Sequence, residues 1–465
     1  MRQIHQRWLM GVAMSDFPEI RYANSDGLSI AYQVWGEGSR NLVLVPGIFS
    51  HLEAFLEMSE YADWMRALSS FCRVITFDKR GNGMSDRIVG APTVDERVMD
   101  IQAVMDAAGV SSAVLAGFSE GSALALVFAA REPVRITKLI ICGGFPAGEL
   151  VLGTLTEEDR VKIRRRLLEN WGKPGGRHAI ARFGPGPEDP AGQEIFAHVC
   201  RLAATPTTIA ALYDLQMRFD VRKVLPFIRQ PTLVLRRAEE PITRAMSKSI
   251  ADAVPNGIYR ELPGSAHVPF FGDQEDYIDA IRDFVLGEDA GETPVPGRRV
   301  LASVLFTDLV NSTGQQARLG DNVFRELISR HDALARRLVE RHKGRFIHST
   351  GDGLLATFDT PSNAIACAVA LRDRLAGGEL RMRAGVHTGE IELRGDDISG
   401  LSVNIASRIA DLAGEGEIVT SDLTRQLMIG SRVIFEARGV VSLKGVPGEW
   451  PLYTALSTQA PPSRS

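Results

Sequence analysis

The sequence has few cysteines, and none of them is spaced for metal binding. It contains four in 465 residues, Cys72, Cys142, Cys200 and Cys367, which are far apart. Isolated thiols of this kind are typical of a reducing compartment, and each is best interpreted as a small buried hydrophobe. We therefore expect a cytoplasmic protein without a disulfide framework.

The chain also lacks an excess of charge of one sign and a long apolar run. Its 53 basic and 57 acidic residues give a net charge of -4, so no overall field favours nucleic acid or anionic lipid. The longest apolar stretch, Ala113 to Ala130, is interrupted by polar residues and is too short to span a bilayer. We expect no nucleic acid partner and no transmembrane segment, and any anion must be bound locally.

Length and composition predict a globular protein of two to four domains. Hydrophobic residues make up 45% of the chain and charged residues 24%, which excludes collagen-like and disordered classes for most of it. A stretch rich in Gly, Pro and acidic residues at 287–298 separates two patterned regions and is interpreted as a linker. Residues 1–16 are expected to form a loose extension and residues 457–465 a flexible tail.

Before the linker, short apolar runs alternate with helical patterns. The continuous runs lie at residues 42–45, 73–77, 113–117, 138–143 and 232–236. Such runs are typical of parallel strands covered by helices on both faces. The strand signal stops between about 145 and 230, where helical segments surround a passage rich in Gly and Pro. Residues 17–286 are therefore predicted to form an α/β domain with a helical lid.

A G-x-S-x-G motif follows the third of these runs. It reads GFSEG from Gly117 to Gly121 and leads into a helical segment. In this strand-turn-helix context the motif exposes the serine, here Ser119, at the start of a helix. The amide of Glu120 is then the first candidate donor to an oxyanion, and the amide of Ile48 in the loop after the first run is the second.

A serine nucleophile needs a base that is itself oriented by an acid. His267 follows a predicted strand, and Glu239 and Glu240 follow the strand at 232–236. We assign His267 as the base and Glu240 as the acid, with Glu239 left open. The region resembles the α/β-hydrolase fold family over residues 17–286, including FDKRGNGMSD at 77–86. A serine nucleophile points to ester, thioester or lactone hydrolysis.

Two positions depart from the pattern of that family. Pro46 stands where many members have histidine, and the acid is a glutamate where aspartate is usual. The alternative is therefore a pocket kept as a sensor of a small hydrophobic ester-like ligand.

After the linker a second α/β pattern carries two separated aspartates. Asp308 comes two residues after the predicted strand at 300–306, and Asp352 lies at the tip of a predicted hairpin between glycines. Two carboxylates at neighbouring strand ends suit Mg²⁺ or Mn²⁺, and two such ions would favour chemistry on a polyphosphate.

A predicted helix nearby carries two polar residues one turn apart. Asn404 and Arg408 share one face, and Ile405, Ile409 and Leu412 are expected to form an apolar stripe. Arg408 could meet a phosphoryl group and Asn404 a sugar oxygen.

These segments together resemble the class III nucleotidyl cyclase catalytic domain over residues 299–456. The motifs FTDLVNST, STGDGLLATF, RAGVHTGEIE, SVNIASR and LKGVPGEWPLY occur in family order. The resemblance implies a ferredoxin-like α+β fold. It also implies that Asp308 and Asp352 bind two divalent metals, and that Asn404 and Arg408 act on the ribose and the phosphorus. In that family one site draws residues from both subunits, which implies a homodimer.

Base recognition maps to His348 and Asp397. The adenylyl members use a lysine and an aspartate at these positions, so Asp397 fits and His348 departs. Neutral imidazole donates only in one tautomer and gains charge only as pH falls. ATP is the expected substrate, and GTP stays open.

We predict an adenylate cyclase that forms 3',5'-cyclic AMP and pyrophosphate, fused to an esterase or sensor domain that acts through the linker. The alternatives are a carboxylesterase with a degenerate, regulatory cyclase domain, and a ligand sensor without catalysis.

Overall fold

The computed structural model describes residues 17–88, 90–152, 156–176, 178, 180, 183–184, 189–287, 298–349, 353–394 and 397–456. The predicted extension at 1–16, the tail at 457–465 and most of the predicted linker lie outside these ranges. The described residues form two sheets, one before and one after the linker. Each sheet is considered with the helices that cover it.

The first sheet has eight described strands in the order β1-β2-β4-β3-β5-β6-β7-β8. The strands are β1 (Arg21–Ser25), β2 (Leu28–Trp35), β3 (Asn41–Val45), β4 (Arg73–Phe77), β5 (Ala113–Phe118), β6 (Ile136–Cys142), β7 (Thr232–Arg237) and β8 (Gly257–Leu262). Strands β4 to β8 and β3 are mutually parallel, and β1 and β2 add an antiparallel edge. All five predicted runs are strands.

Helices cover both faces of this sheet. They are α1 (Ser59–Ser69), α2 (Val94–Ala107), α3 (Gly121–Arg131), α8 (Arg244–Ala253) and α9 (Glu275–Leu286). Alternate residues of β5 enter different cores: Leu115 packs with α2 and α3, and Val114 packs with α1 and α9. Burial of both faces explains why the strands are continuous apolar runs.

The predicted lid region is helical where it is described. Between β6 and β7 lie α4 (Glu149–Leu152), α5 (Glu157–Asn170), α6 (Pro190–Ala203) and α7 (Pro206–Gln216). The apolar faces of α5, α6 and α7 form a cluster of their own that includes Ile48 from the loop after β3. No single helix in the described ranges is long and apolar enough to cross a membrane; α6 and α7 satisfy the length and composition test only as a pair bent by 89°.

The second sheet has the described order β10-β11-β9-β12-β14-β16-β15, and β13 pairs with β12. Its strands are β9 (Arg298–Leu309), β10 (Gly344–Ser349), β11 (Leu354–Phe358), β12 (Met382–Arg394), β13 (Asp397–Ser399), β14 (Ile418–Ser421), β15 (Ile434–Ser442) and β16 (Glu449–Leu456). Its helices are α10 (Ser312–Leu319), α11 (Asp321–Arg341), α12 (Pro361–Leu375), α13 (Leu401–Asp411) and α14 (Asp422–Leu427).

The two faces of β9 bury different helices. Leu305 and Leu309 pack with α11 and α12, whereas Ala302 and Val304 pack against Ala406 of α13. The prediction for the apolar stripe of α13 is confirmed for Ile405 and Ile409 and wrong for Leu412. Helix α13 ends at Asp411, and Leu412, its C-cap residue, is 43% exposed.

The turn between β5 and α3 depends on close approach of backbones. A Cβ at Gly121 would collide with the carbonyl oxygens of Val45 and Pro46, and one at Gly117 would lie 2.6 Å from the Cα of Ser122. Backbone atoms cannot move aside cheaply, so side chains are excluded at both positions. Gly47, on the opposite side of the turn, would place a Cβ at an ordinary 3.6 Å from that of Ser119.

We therefore expect Gly121→Ala to destabilise the first domain and Gly47→Ala to leave it nearly unchanged. The collision at Gly121 should cost about 1–3 kcal/mol of unfolding free energy, as overpacking does elsewhere. Urea unfolding followed by the intrinsic fluorescence of Trp64 and its neighbours would measure the difference. Equal midpoints for the two variants would contradict the close approach.

Candidate active sites

Ser119 occupies the turn between β5 and α3 in a strained conformation. Its φ is +50°, a region that non-glycine residues seldom adopt. Neighbouring residues stabilise this conformation. The Ser119 amide donates to the Cys142 carbonyl at 2.9 Å, and Gly117 and Gly121 occupy positions where a side chain would not fit. The serine lines a cavity at the carboxyl edge of the sheet.

His267 and Glu240 form a buried pair beside that cavity. His267 Nδ1 lies 2.7 Å from Glu240 Oε2, and both side chains are almost fully inaccessible to solvent. Glu239 is exposed and donates its amide to the Gly264 carbonyl. Of the two glutamates that the sequence leaves open, the geometry favours Glu240.

His267 Nε2 is buried and has no hydrogen-bond partner among the described residues. Ser119 and His267 line the same cavity without a hydrogen bond between them in the described ranges. The Phe183 ring from the lid lies against the imidazole, with centroids 4.6 Å apart. Serine-histidine hydrogen bonds are often long in ligand-free sites and shorten when substrate binds.

Glu120, the residue after Ser119, is the centre of a buried ion cluster. Its carboxylate accepts from Lys79 Nζ at 2.8 Å and from both Arg97 Nη atoms, and all three side chains are inaccessible. Burial acts to raise the pKa of Glu120, but the Arg97 and Lys79 cations outweigh it and hold the pKa at about 2. Lys79 also donates to the carbonyls of Pro46 and Gly47.

This cluster fixes the two backbone segments that were predicted to form the oxyanion site. The loop after β3 is held by Lys79 through its carbonyl oxygens, so its amides face away from that cation. Neither the amide of Glu120 nor that of Ile48 donates to another described residue. Both segments border the cavity that contains Ser119. The Pro46 carbonyl is one of the acceptors of Lys79. Pro46 stands at the position where many members of the family have histidine.

Arg237 positions the loop that carries His267, and sequence reasoning missed it. It is the last residue of β7 and is 2% exposed. Its guanidinium donates to the carbonyls of Ala266, Val268, Pro269 and Asp273. The only signal for Arg237 in the sequence was its place as a second arginine, after Arg236, at the end of the apolar run 232–236.

The cavity is apolar. It has a volume of about 110 Å³ and is lined mainly by aliphatic and aromatic side chains from the core, the loop after β3 and the lid. At roughly 10–15 Å³ for each water, this is room for a molecule of on the order of ten non-hydrogen atoms. Its described lining contains no lysine, arginine or glutamate, and burial raises the pKa of Asp78, the one aspartate there. A neutral hydrophobic ligand fits these surroundings best.

In the second domain Asp308 lies near the end of β9. Thr307 pairs with Leu354 of β11, and the Leu354 amide donates to Thr307 Oγ1 at 3.2 Å. The described start of β11 therefore lies close to Asp308, and Asp352 lies outside the described residues. Among the described residues no three His, Cys, Asp or Glu side chains form a cluster that could hold a metal. A half-exposed carboxylate at this strand end nevertheless fits a hard divalent cation.

Arg383 holds Asp308, and sequence reasoning missed this arginine as well. Its Nε lies 2.8 Å from Asp308 Oδ2, its Nη2 pairs with the same oxygen, and its Nη1 donates to the Asp411 carbonyl at the end of α13. Both bonds use Oδ2, and Oδ1 accepts none from the described residues. The antiparallel register that sets Arg383 opposite Asp308 is not visible from the separate motifs.

Asn404 and Arg408 are exposed on α13, one turn apart, over the buried Ile405 and Ile409. Arg408 Nη1 donates to Asp411 Oδ2 at 3.1 Å. Within the described part of one chain neither residue bonds to Asp308. His348 on β10 and Asp397 on β13 are both exposed, and their strands contact each other although they do not pair in the sheet.

Comparison with known proteins agrees with this division. The Alpha/beta hydrolase family model matches residues 42–280, and the Adenylate and Guanylate cyclase catalytic domain model matches residues 298–456. The chain is 31% identical over 162 residues to an adenylate cyclase of Glutamicibacter nicotianae, which is 34% of this chain and 40% of that protein. It is 26% identical over 253 residues to a putative carbamate hydrolase RutD of Azorhizobium caulinodans, covering 53% and 91%.

Two solved structures resemble the separate domains. The enol-lactonase of Burkholderia xenovorans LB400 has 22% identity and a TM-score of 0.48 over 57% of this chain and all of that one. The adenylyl cyclase CyaB of P. aeruginosa has 21% identity and a TM-score of 0.33 over 36% and 98%. The chain spans less than half the length of the adenylate cyclases it matches in sequence. It belongs to the alpha/beta hydrolase family through residues 42–280 and carries an adenylate and guanylate cyclase catalytic domain at residues 298–456.

Proposed function

We propose that the second domain is an adenylate cyclase that converts ATP to 3',5'-cyclic AMP and pyrophosphate. The observation that carries the proposal is the exposure of Asn404 and Arg408 on one face of α13, on the same side of the sheet as the end of β9 with Asp308. Sequence similarity to proteins named adenylate cyclases, from Glutamicibacter nicotianae and Rhizobium meliloti, supports the choice of reaction.

In this reaction the ribose 3'-hydroxyl attacks the α-phosphorus in line with the departing pyrophosphate. The new O3'-P bond forms as the bond from phosphorus to the bridging oxygen breaks, and the proton of the hydroxyl is lost. Arg408 offsets the negative charge on the phosphoryl oxygens, and Asn404 hydrogen-bonds the ribose. Mg²⁺ or Mn²⁺ bound by Asp308 and Asp352, two ions for each site, would supply a Lewis acid for the attacking and leaving oxygens.

Base selection is proposed to involve His348 and Asp397. A carboxylate at Asp397 can accept from the exocyclic amine of adenine, and His348 can donate to the purine ring in one tautomer. Both side chains are exposed, on two strands of one chain that contact each other.

The active cyclase is proposed to be a homodimer. Within one chain Asp308 is paired with Arg383, and Arg408 is paired with Asp411. A second copy would bring Arg408 of one subunit to Asp308 of the other, and twofold symmetry would make two equivalent sites.

We propose that the first domain hydrolyses a small hydrophobic ester or a related acyl compound. The buried pair of His267 and Glu240 beside Ser119 supports this activity, and the apolar cavity supports the substrate class. His267 would accept the proton of Ser119 as the serine attacks the carbonyl, and the amides of Glu120 and Ile48 would donate to the oxyanion. The match to putative carbamate hydrolases makes carbamates a further class to assay.

Glu240→Gln should lower kcat for a p-nitrophenyl ester by about 10³–10⁴-fold, because the amide would favour the wrong imidazole tautomer. Glu239→Gln is the matched control and should stay near wild type. Ser119→Ala should abolish turnover and leave cyclic nucleotide formation intact. Similar losses for both glutamate variants would contradict the assignment of the acid.

Asp308→Ala and Arg408→Ala should each lower cyclic nucleotide formation by at least about 10²-fold and spare ester hydrolysis. If sites form between subunits, a mixture of the two variants should recover about a quarter of the wild-type rate, since half of the randomly paired dimers contain one intact site. Full activity from a chain that stays monomeric in analytical ultracentrifugation would refute the homodimer.

His348→Lys should raise the ratio of kcat/KM for ATP over GTP by about tenfold, because a charged donor makes a stronger hydrogen bond than neutral imidazole. His348→Gln supplies an uncharged control. An unchanged preference in the lysine variant would remove His348 from base selection.

A further inference from the structure

The two domains share one buried apolar contact. Leu301 of β9 and Leu423 and Leu427 of α14 belong to the same buried cluster as the core residues of α2 and α3 in the first domain. All three are less than 10% exposed. Residues this inaccessible, with neighbours from both domains, indicate packing rather than two domains joined only by a linker.

Buried polar contacts join the domains at a second point. Asp95 of α2 is 1% exposed and pairs with Arg131 at the end of α3. Its other oxygen accepts from Ser362 Oγ at 2.8 Å and from the Ser362 amide at 3.4 Å. Ser362 lies in the first turn of α12, where a carboxylate is favoured by the helix dipole. One aspartate thus bonds α3 and the second domain together.

Two exposed ion pairs border the contact. Lys223 pairs with Asp422 at the start of α14, and Arg229 Nη2 lies 3.1 Å from Glu390 Oε1 on β12. Both cations are about half exposed. These pairs offer substitutions that alter the contact without touching either candidate active site.

The contact surface includes the residue after the nucleophile. A small cleft is lined by Glu120, Arg97 and Leu124 from the first domain and by Gln426 and Leu427 of α14. Helix α3, which begins at Gly121, therefore connects Ser119 at one end with the Arg131–Asp95–Ser362 contact at the other.

The lid reaches the second domain as well. Gly430 packs so closely that a Cβ there would lie 2.9 Å from the Pro92 carbonyl and 3.2 Å from Cδ1 of Leu215 on α7. The opposite side of α7 packs in the lid cluster with Ile48 and Ile180, two residues that line the apolar cavity.

We propose that binding of a hydrophobic ligand in the cavity of the first domain is transmitted to the cyclase domain across this contact, through α3 and α7, and not through the linker. A ligand that packs against Ile48, Ile180 and the turn at Ser119 shifts α7 and α3, and so changes the surface against which α12 and α14 pack. The activity readout depends on the proposed cyclase function; the structural readout below does not.

The contact leaves the candidate cyclase site open. Leu301 faces the side of the sheet that carries α12, whereas Asn404 and Arg408 lie on α13 on the opposite face. A second copy could therefore pair on the α13 face while the first domain stays in contact with the α12 face. The first domain and the partner subunit would then contact opposite faces of the same sheet.

The test compares the full-length chain with Lys223→Glu/Arg229→Glu, which places like charges opposite Asp422 and Glu390. Lys173→Glu/Arg260→Glu changes the net charge equally at exposed positions elsewhere in the first domain and is the matched control. Asp422→Lys/Glu390→Lys added to the first variant restores opposite charges. The probe is 4-nitrophenyl ethyl ether, an uncleavable analogue of an aryl ester, whose binding is followed by tryptophan fluorescence.

Hydrogen exchange measured by mass spectrometry should show α12 and α14 amides protected at least threefold more with the ether bound, in wild type and control. The effect should vanish in the charge-reversed variant and return in the swapped one. The rate of cyclic nucleotide formation should change at least twofold in the same pattern.

Failure of the ether to bind, absence of a protection change in wild type, or an equal change in the charge-reversed variant would overturn the proposal. A protection change with no cyclic nucleotide formed would instead support the transmission and refute the cyclase function.

Discussion

The buried carboxylate of Glu120 is the constraint on which both the first site and its link to the second domain depend. It holds Lys79, which binds the loop after β3, and Arg97 of α2. The carboxylate offsets two buried cations, and burial together with the charge of Arg97 lowers the pKa of Lys79 to about 7. Removing one partner of a buried pair typically costs about 3–5 kcal/mol. The nucleophile turn, the oxyanion loop and α2 are therefore fixed relative to one another.

The first turn of α2 holds both ends of α3. Arg97 binds Glu120 just before α3 begins, and Asp95 binds both Arg131 at the end of α3 and Ser362 of α12. Because tightly packed elements move as units, α3 cannot slide along α2 without breaking one of these ion pairs. The two pairs are a physical reason for the domains to respond together.

The sequence predicted those features that are local in the chain. Ser119 followed from five consecutive residues and the strand before them, and α13 from its own periodicity. Glu240 could not be separated from Glu239, because only burial beside His267 distinguishes them. Arg237, Arg383 and the Glu120 cluster were missed because their partners are distant in sequence, and Leu412 because the helix ends one residue before it. The docking of the domains had no sequence signal.

The two candidate sites differ in what one chain must supply. His267 and Glu240 of the first domain are already paired within one chain. In the second domain Asp308 is neutralised by Arg383, and Arg408 by Asp411, at partly exposed positions where each pair contributes little. In the dimer that we propose, exchange of such weak pairs for metal, phosphate and a partner subunit would cost little, so small changes in how the domain is held would shift the equilibrium toward assembly. A regulator packed on the opposite face of the sheet is well placed to act on that equilibrium.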